Sequence, residues 1–406
     1  MQCRICGSSN LELVIDLGYQ ALTGIFPRAQ QHDDFPSGSL RLVRCVSNDG
    51  CGLVQLEQSF DPDLLYGENY GYRSGLNASM VTHLREKVSD ISRRVILQDG
   101  DVVIDIGSND GTTLGFYSPN LTRIGIDPTA AKFREHYPPG TTVVSDFFSA
   151  SAALNASSGR QAKAVTSFSM MYDLENPQLF VDEVAEVLAS DGVWIFEQSY
   201  LPLMLERTAF DTICHEHIEY YGMRQIDWLL ARAGLEAIDV ELNDINGGSF
   251  AVTASHKGAF SISDSVEQVR AQEQALWNNA SVAFSEFADA THQSSAELRA
   301  FVRTQLDSGK TIAALGASTK GNVLLQFAGF TATDIAVIGD VNPDKYGCVT
   351  PGSWIPIVSQ EEALKESFDF YIVLPWHFRQ FFINSTDFSG HSLVFPLPRL
   401  EVFESQ

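Results

Sequence analysis

Short apolar runs separated by helical patterns organise the middle of this chain. VVIDI, RIGI, TVV, AVTSF and GVWIFEQ recur between Asp101 and about Ser255, and runs of this kind alternating with helical segments predict a parallel sheet of βαβ units. Upstream, Val81, Leu84, Val88, Ile91 and Val95 fall at helical spacing and predict a helix from about Met80 to Leu97 that leads into the sheet. Downstream, Ser263 to Leu306 is nearly free of Gly and Pro and rich in Ala, Glu and Gln, which predicts a helical connector. Beyond it TIAALG, a helix over Asn322 to Phe327, IAVIGD and FDFYIVLPW form a second α/β pattern. It is too short for a complete doubly wound domain and predicts a smaller Rossmann-like module. Met1 to about Phe60 reads as short strands, and no internal repeat is present.

Composition narrows the class. The 406 residues are 44% hydrophobic and 19% charged, enough for two or three globular cores. Acidic residues outnumber basic ones 51 to 27, a formal net charge of -24, which argues against nucleic acid as a partner. A small pyrophosphate remains possible, held by backbone N–H groups at one helix N-terminus. MQCRICGSS has no signal-peptide pattern and no later run approaches a membrane span, so a cytoplasmic enzyme with no membrane partner is expected.

Four of the six cysteines lie in the first 51 residues. Cys3 and Cys6 form a CxxC knuckle followed by Gly7, and Cys45 and Cys51 flank VSNDG, whose Asn48, Asp49 and Gly50 suit a turn. Four thiolates suit tetrahedral zinc, and with every position filled by sulfur the ion is structural. Two unrelated buried thiols beside a chance CxxC is the competing reading.

VVIDIGSNDGTTL, Val102 to Leu114, predicts a buried strand, a glycine-bearing turn and then a helix. Gly107 and Gly111 permit close backbone approach, Asp105 at the strand end receives a cationic or hydroxyl group, and Asn109 lies within the turn. The GxGxxG order of a dinucleotide site is missing. Asp127 ends RIGID, 20 positions after Gly107, the separation at which a carboxylate meets ribose hydroxyls. Asp146 in SDFF follows the third strand and is placed to meet an adenine amino group. Such a site fits adenosine bearing a sulfonium, which is S-adenosylmethionine; another kind of βα turn is the alternative.

FDTICHEHIEYYG concentrates His215, Glu216, His217, Tyr220 and Tyr221. Histidine is the side chain best poised to take a proton near neutral pH, and an adjacent carboxylate can orient it. Satisfied core histidines or a metal-binding HxH pair remain open at this point. In TIAALGASTKGN, Gly316 and Gly321 bracket Ser318, Thr319 and Lys320, groups able to cradle phosphate. Asn322 closes that string, and Asp340 ends the following strand. A purely structural βα turn is the alternative there. WHFR, Trp376 to Arg379, offers stacking or a charge near the cleft.

CRICG with CGLVQL, NYGYRSG, VIDIGSNDGTTL, HEHIEYY, and GASTKGN followed by DVNPDKYG and PGSWIPI stand in an order that covers nearly the whole chain. In this it resembles the zinc-containing, S-adenosylmethionine-dependent sugar C-methyltransferases. The resemblance implies an α/β chain of three parts: a small zinc-binding domain (1–75), a central Rossmann-like class I methyltransferase domain (76–258) and a smaller C-terminal Rossmann-like module (259–406). It implies a small-molecule substrate, a keto-deoxysugar linked to a nucleoside diphosphate, whose nucleotide handle is held by Gly316, Thr319, Lys320, Asn322 and Asp340. It further implies Glu216 and His217 as the active-site pair, with His217 the base that generates an enolate, and Tyr72 or Tyr70 as an active-site tyrosine. Tyr72, His215 and Tyr220 are then the expected oxyanion donors. The chain departs from the family at Cys214, where a tyrosine is usual, and at Ser169 and Asp173, where an Asn-to-His stretch is usual. Those departures leave transfer to oxygen or nitrogen as an alternative. An NAD-dependent sugar-nucleotide oxidoreductase lacks its pyrophosphate fingerprint, and a non-catalytic binding protein leaves the His-Glu-His cluster unused.

Overall fold

The computed structural model describes residues 1–29, 35–47, 50–65 and 73–404. The first part contains β1 (Leu11–Ala21), β2 (Ser37–Cys45), β3 (Val54–Leu56) and the short α1 (Pro62–Leu65). Ile15, Leu17, Leu40, Leu42, Val54 and Leu56 bury one face of this antiparallel sheet.

The central part runs α2 (Ala78–Arg94), β4 (Val102–Ile106), β5 (Thr122–Ile126), β6 (Thr142–Val144), α3 (Ala150–Ala156), β7 (Ala162–Phe168), α4 (Pro177–Val187) and β8 (Leu188–Ser199). It continues with α5 (Leu201–Glu206), β9 (Glu219–Tyr220), α6 (Met223–Arg232), β10 (Leu235–Asn243) and β11 (Ser249–His256). Seven strands order as β10-β11-β8-β7-β4-β5-β6, with β11 antiparallel to its neighbours. Every residue of VVIDI is buried because both faces of β4 are covered. Val88, Ile91 and Val95 cover one face at Val103, Val193 and Ile195. Residues of α4 and α6, among them Phe180, Val184 and Ile226, cover the other at Ile104, Trp194 and Phe196.

The helix expected after VVIDIGSNDGTTL is a single 3-10 turn, Thr113–Phe116, and RIGID is followed by another, Arg134–His136. Gly111 sits at φ 75, outside helical backbone, and Pro119 and Pro138 exclude the α conformation just before them. Only the β6–β7 and later crossovers carry α-helices.

The connector is two helices, α7 (Asp264–Asn278) and α8 (Ala280–Asp307), broken at Asn279. The last part comprises β12 (Ile312–Leu315), α9 (Thr319–Ala328), β13 (Ile338–Asp340), β14 (Ile357–Ser359), α10 (Gln360–Lys365), β15 (Phe370–Val373), α11 (Arg379–Asn384), β16 (Ser392–Phe395) and β17 (Glu401–Glu404). These six strands order as β14-β13-β12-β15-β16-β17, all parallel except β17. IAVIGD supplies only three strand residues, and α9 starts three residues before the expected Asn322. Its buried residues share one core with α8, with the face of β1 to β3 and with Leu201, Phe210, Ile213 and Tyr220 of the central stretch. Among the described residues no helix is long and apolar enough to cross a membrane.

β9 belongs to the central stretch of sequence but pairs with β3, Val54 opposite Tyr220 and Gln55 opposite Glu219. The HEHIEYY segment is thereby stitched to the N-terminal sheet.

Candidate active site

The four cysteine sulfurs converge to within 4.8 Å of one another. Cys3 Sγ lies 3.4 Å from Cys51 Sγ and Cys6 Sγ 3.6 Å from Cys45 Sγ, close to the roughly 3.8 Å edge of a tetrahedron with about 2.3 Å zinc–sulfur bonds. A Cβ on Gly50 would stand 2.9 Å from Cys45 Sγ, so that glycine gives the sulfur its room. Gly7 takes φ 73 and donates its N–H to Cys3 O at 2.9 Å, closing the knuckle. The set fits a structural zinc held by Cys3, Cys6, Cys45 and Cys51.

At the carboxyl ends of β4 and β5 the turn Gly107–Gly111 folds back on the sheet. Gly107, at φ 69, would carry a Cβ 3.0 Å from Met170, and Asn109 takes φ 49. Asp127 accepts the Asn109 N–H at 2.9 Å and the Thr129 N–H and hydroxyl at 2.6 and 2.5 Å. Asp105 accepts the Thr166 hydroxyl at 2.5 Å. Burial raises its carboxyl to about 7, against the pull of the Thr166 and Thr113 hydroxyls. Both carboxylates are buried, and no cation among the described residues pairs with either. Two buried acids without a cation, beside a turn that only small residues can make, fit a ligand with hydroxyls and positive charge. Asp146 is exposed past β6, its carboxylate accepting the Phe147 N–H at 2.8 Å.

The catalytic candidates follow the 3-10 turn Phe210–Thr212. Thr212 O lies 3.1 Å from His217 Nδ1; a carbonyl only accepts, so Nδ1 carries the proton and Nε2 is left as the acceptor. The ring stacks obliquely on Tyr172, centroids 4.1 Å apart. His217 is partly exposed while Asp211 to Glu216 are buried. Burial first, then the Lys320 ammonium, lowers its imidazolium to about 3.

Glu216 accepts the Thr23 hydroxyl at 3.3 Å, and burial raises its carboxyl against a bond from the Cys214 thiol. A Cβ on Gly24 would stand 1.7 Å from Glu216 Oε1 and 3.6 Å from Thr319 Oγ1. The loop after β1, the HEH segment and the start of α9 therefore meet at one point.

His215 does not face the cleft. It is fully buried, Nε2 lies 3.3 Å from Gly38 O and Nδ1 lies 3.1 Å from Thr23 Oγ1, and Phe60 packs edge-on against its ring. With both nitrogens engaged and the ring buried, His215 braces the loop carrying Thr23. Tyr220 is likewise buried, its hydroxyl donating to Thr212 O at 3.3 Å. Tyr72 and Tyr70 lie outside the described residues.

Of the C-terminal set, Asn322 is fully buried and its side-chain N–H donates to Thr23 O at 2.7 Å, which joins α9 to the N-terminal loop. Asp340 accepts the Asn342 N–H at 2.7 Å and lies 3.8 Å from Lys345. Gly316, at φ 81, is pressed against Pro375. Lys320 donates to Asn246 O at 2.6 Å. Of the three departures, Cys214 is buried beside Glu216, Ser169 accepts from Asn246 Nδ2 at 3.3 Å, and Asp173 ends the 3-10 turn that also carries Tyr172. Thr23, Gly24, Tyr172, Asp211 and Asn246 were not singled out from the sequence. Asp211 stands at the head of the FDTICHEHIEYYG string without its role being marked there, and only the long-range packing reveals the others.

Sheet order, glycine turn and acidic strand ends together define an S-adenosylmethionine-dependent methyltransferase. Family models match along the chain in three stretches, described as "Putative zinc binding domain" over residues 3–66, "Methyltransferase domain" over 80–240 and "C-methyltransferase C-terminal domain" over 244–398. C-methyltransferase NovU of Streptomyces niveus is 30% identical over 411 residues, an alignment spanning 100% of this chain and 97% of that protein. The chain belongs to this zinc-binding C-methyltransferase family. Among solved structures, plantazolicin methyltransferase BpumL in complex with a pentazolic desmethylPZN analog and SAH aligns at TM-score 0.35 and 12% identity over 44% of this chain and 86% of that one. An S-adenosylmethionine-dependent methyltransferase from Clostridium acetobutylicum aligns at 0.34 and 12% over 44% and 92%.

Proposed function

We propose that the chain transfers a methyl group to the carbon next to the ketone of a nucleotide-linked keto-deoxysugar, with His217 as the base. The observation that carries this reading is the state of that imidazole: Nδ1–H tied to Thr212 O, the ring steadied on Tyr172, and Nε2 free on a partly exposed ring surrounded by buried neighbours. A ketone acidifies its α-hydrogen, so the proton passes to Nε2 and the C–H electron pair becomes the enolate double bond while the carbonyl pair moves to oxygen. Asp105, Gly107, Asn109, Asp127 and Asp146 would hold S-adenosylmethionine, which would supply an electrophilic methyl for the new bond to the enolate carbon, its former bonding pair staying with sulfur. Glu216 acts as a positioning residue, fixed between Thr23 and Cys214, and His215 braces the loop that holds it. The nucleotide lies on the C-terminal module near Gly316, Thr319 and Asp340, and the three units span 1–75, 76–258 and 259–406.

His217→Ala tests the base directly. In deuterated water the wild type is expected to exchange the α-hydrogen of a uridine- or thymidine-diphosphate keto-deoxyhexose, and the variant to lose exchange by about 10²-fold or more with unchanged S-adenosylmethionine affinity by calorimetry. Full exchange in the variant moves the role elsewhere; methyl transfer without any exchange in the wild type favours an oxygen or nitrogen acceptor.

A further inference from the structure

Lys320 is the second residue of α9, whose N-cap Ser318 accepts the Gly321 N–H at 3.0 Å. Its side chain leaves the C-terminal module and crosses to the central part, where Nζ donates to Asn246 O at 2.6 Å in the turn between β10 and β11. That turn borders the cofactor cleft: Asn246 donates to Ser169 Oγ at 3.3 Å, and Met170, the next residue, covers Gly107. On its other side the turn is packed by Trp376 and His377, which would stand 3.4 and 3.7 Å from a Cβ on Gly247. Trp376 Nε1 in turn donates to Asp211 Oδ2 at 2.8 Å, at the head of the segment that carries His217. The ammonium is thus held on a turn that reaches the methyl-donor side through Ser169 and Met170 and the His217 segment through Trp376 and Asp211.

The groups that feel this charge come from both packed elements. They are Asp211, Cys214 and His217 on the segment after α5, and His377 after β15. An ammonium has three N–H groups. One is spent on Asn246 O, and among the described residues no carboxylate forms an ion pair with Lys320. Burial lowers its pKa and Asp211 raises it in return. A partly buried cation with two donors to spare, in a site that must take up negative charge on oxygen, is placed for an oxyanion and not for a distant handle.

We propose that Lys320 is a catalytic residue, the cation that receives the oxygen of the enolate formed when His217 removes the α-proton, and not the phosphate contact that its glycine-flanked motif suggests. This rests on the reading of the reaction given above. When the C–H pair moves into the new double bond, the carbonyl π pair becomes a lone pair on oxygen, and two Lys320 N–H groups take it up. The proton stays on His217 Nε2, so the site gains one imidazolium and one oxyanion with the ammonium beside the latter.

Lys320→Met and Lys320→Arg test the assignment on the full-length protein. With a thymidine-diphosphate keto-deoxyhexose in deuterated water, exchange kcat is expected to fall by about 10² to 10³-fold in K320M, with KM within a few-fold. K320R is expected to recover part of the loss, and calorimetric affinity for S-adenosylmethionine to stay the same in both. A second readout needs no substrate: NMR titration of His217 is expected to move upward from its low wild-type value once the ammonium is gone. The assignment is overturned if K320M raises KM while exchange kcat holds, the mark of a phosphate contact, or if His217 titrates unchanged. A wild-type control without exchange overturns the enolate reading beneath it, and is told apart by occurring before any substitution.

Discussion

Asp105 shows how one buried carboxyl couples the cofactor cleft to pH. The folded chain keeps its proton up to about pH 7, whereas an unfolded aspartate releases it near 4. In that window the folded state binds more protons, and stability falls as pH rises, by at most about 4 kcal/mol at completion. His215 and His217, lowered to about 4 and 3 by burial, act in the opposite sense below pH 6.5, so the comparison that isolates Asp105 is with Asp105→Asn. Melting of the apo protein from pH 5 to 8 is expected to favour the variant progressively; parallel curves refute the shift. Affinity for S-adenosylmethionine is expected to rise through pH 7 in the wild type and stay flat in the variant. The residue types at this site were legible in the sequence because strand ends and glycine turns are local. What surrounds Glu216 was not: Thr23 and Gly24 reach it from nearly 200 positions away, and no periodicity records such a meeting.

Glu273 does for the elements what the loop after β1 does for the residues. Lying on α7 and buried, it accepts the Met223 and Arg224 N–H groups at 2.6 and 3.2 Å, the Tyr200 hydroxyl at 2.8 Å and the Trp277 indole at 3.2 Å. It caps the start of α6 from another helix, and Gly222 leaves it room. Because α6 begins directly after β9, the cap also anchors the far end of the HEHIEYY segment. Glu273→Ala leaves four donors unpaired, two of them on the buried residues Tyr200 and Met223, and is expected to cost about 3 kcal/mol, read as a lower urea midpoint, with Glu273→Gln recovering part of it. A loss under about 0.5 kcal/mol contradicts a capping role. Apolar runs announced the strands of the central sheet well, since a strand covered on both faces is apolar throughout. The helices after β4 and β5 were over-read, because Gly111, Pro119 and Pro138 cut short what the βα pattern leads one to expect. The six-stranded C-terminal sheet was under-read, its β13 and β14 being only three residues each.

In the whole molecule the zinc ligands and the catalytic candidates are linked through the N-terminal sheet. Cys45 ends β2, Cys51 precedes β3, and β3 pairs with β9 beside the HEH segment. From the same sheet the chain leaves β1 into Thr23 and Gly24, which hold Glu216 and meet Asn322 of α9. Loss of the ion leaves four cysteine sulfurs crowded within 4.8 Å, three of them buried, with no cation to hold them as thiolates. The sheet is then expected to loosen, since metal binding of this kind is folding free energy. The cofactor turn is built on the ends of β4 and β5 under Met170, whereas Cys45 and Cys51 flank the ends of β2 and β3, so the two functions should part. Stripping zinc with a strong chelator is expected to abolish methyl transfer while S-adenosylmethionine still binds within a few-fold by calorimetry, and re-addition of zinc under reducing conditions to restore turnover. Full activity in a metal-free protein, checked by elemental analysis, contradicts the bracing role; equal loss of cofactor binding shows instead that the ion supports the central sheet as well.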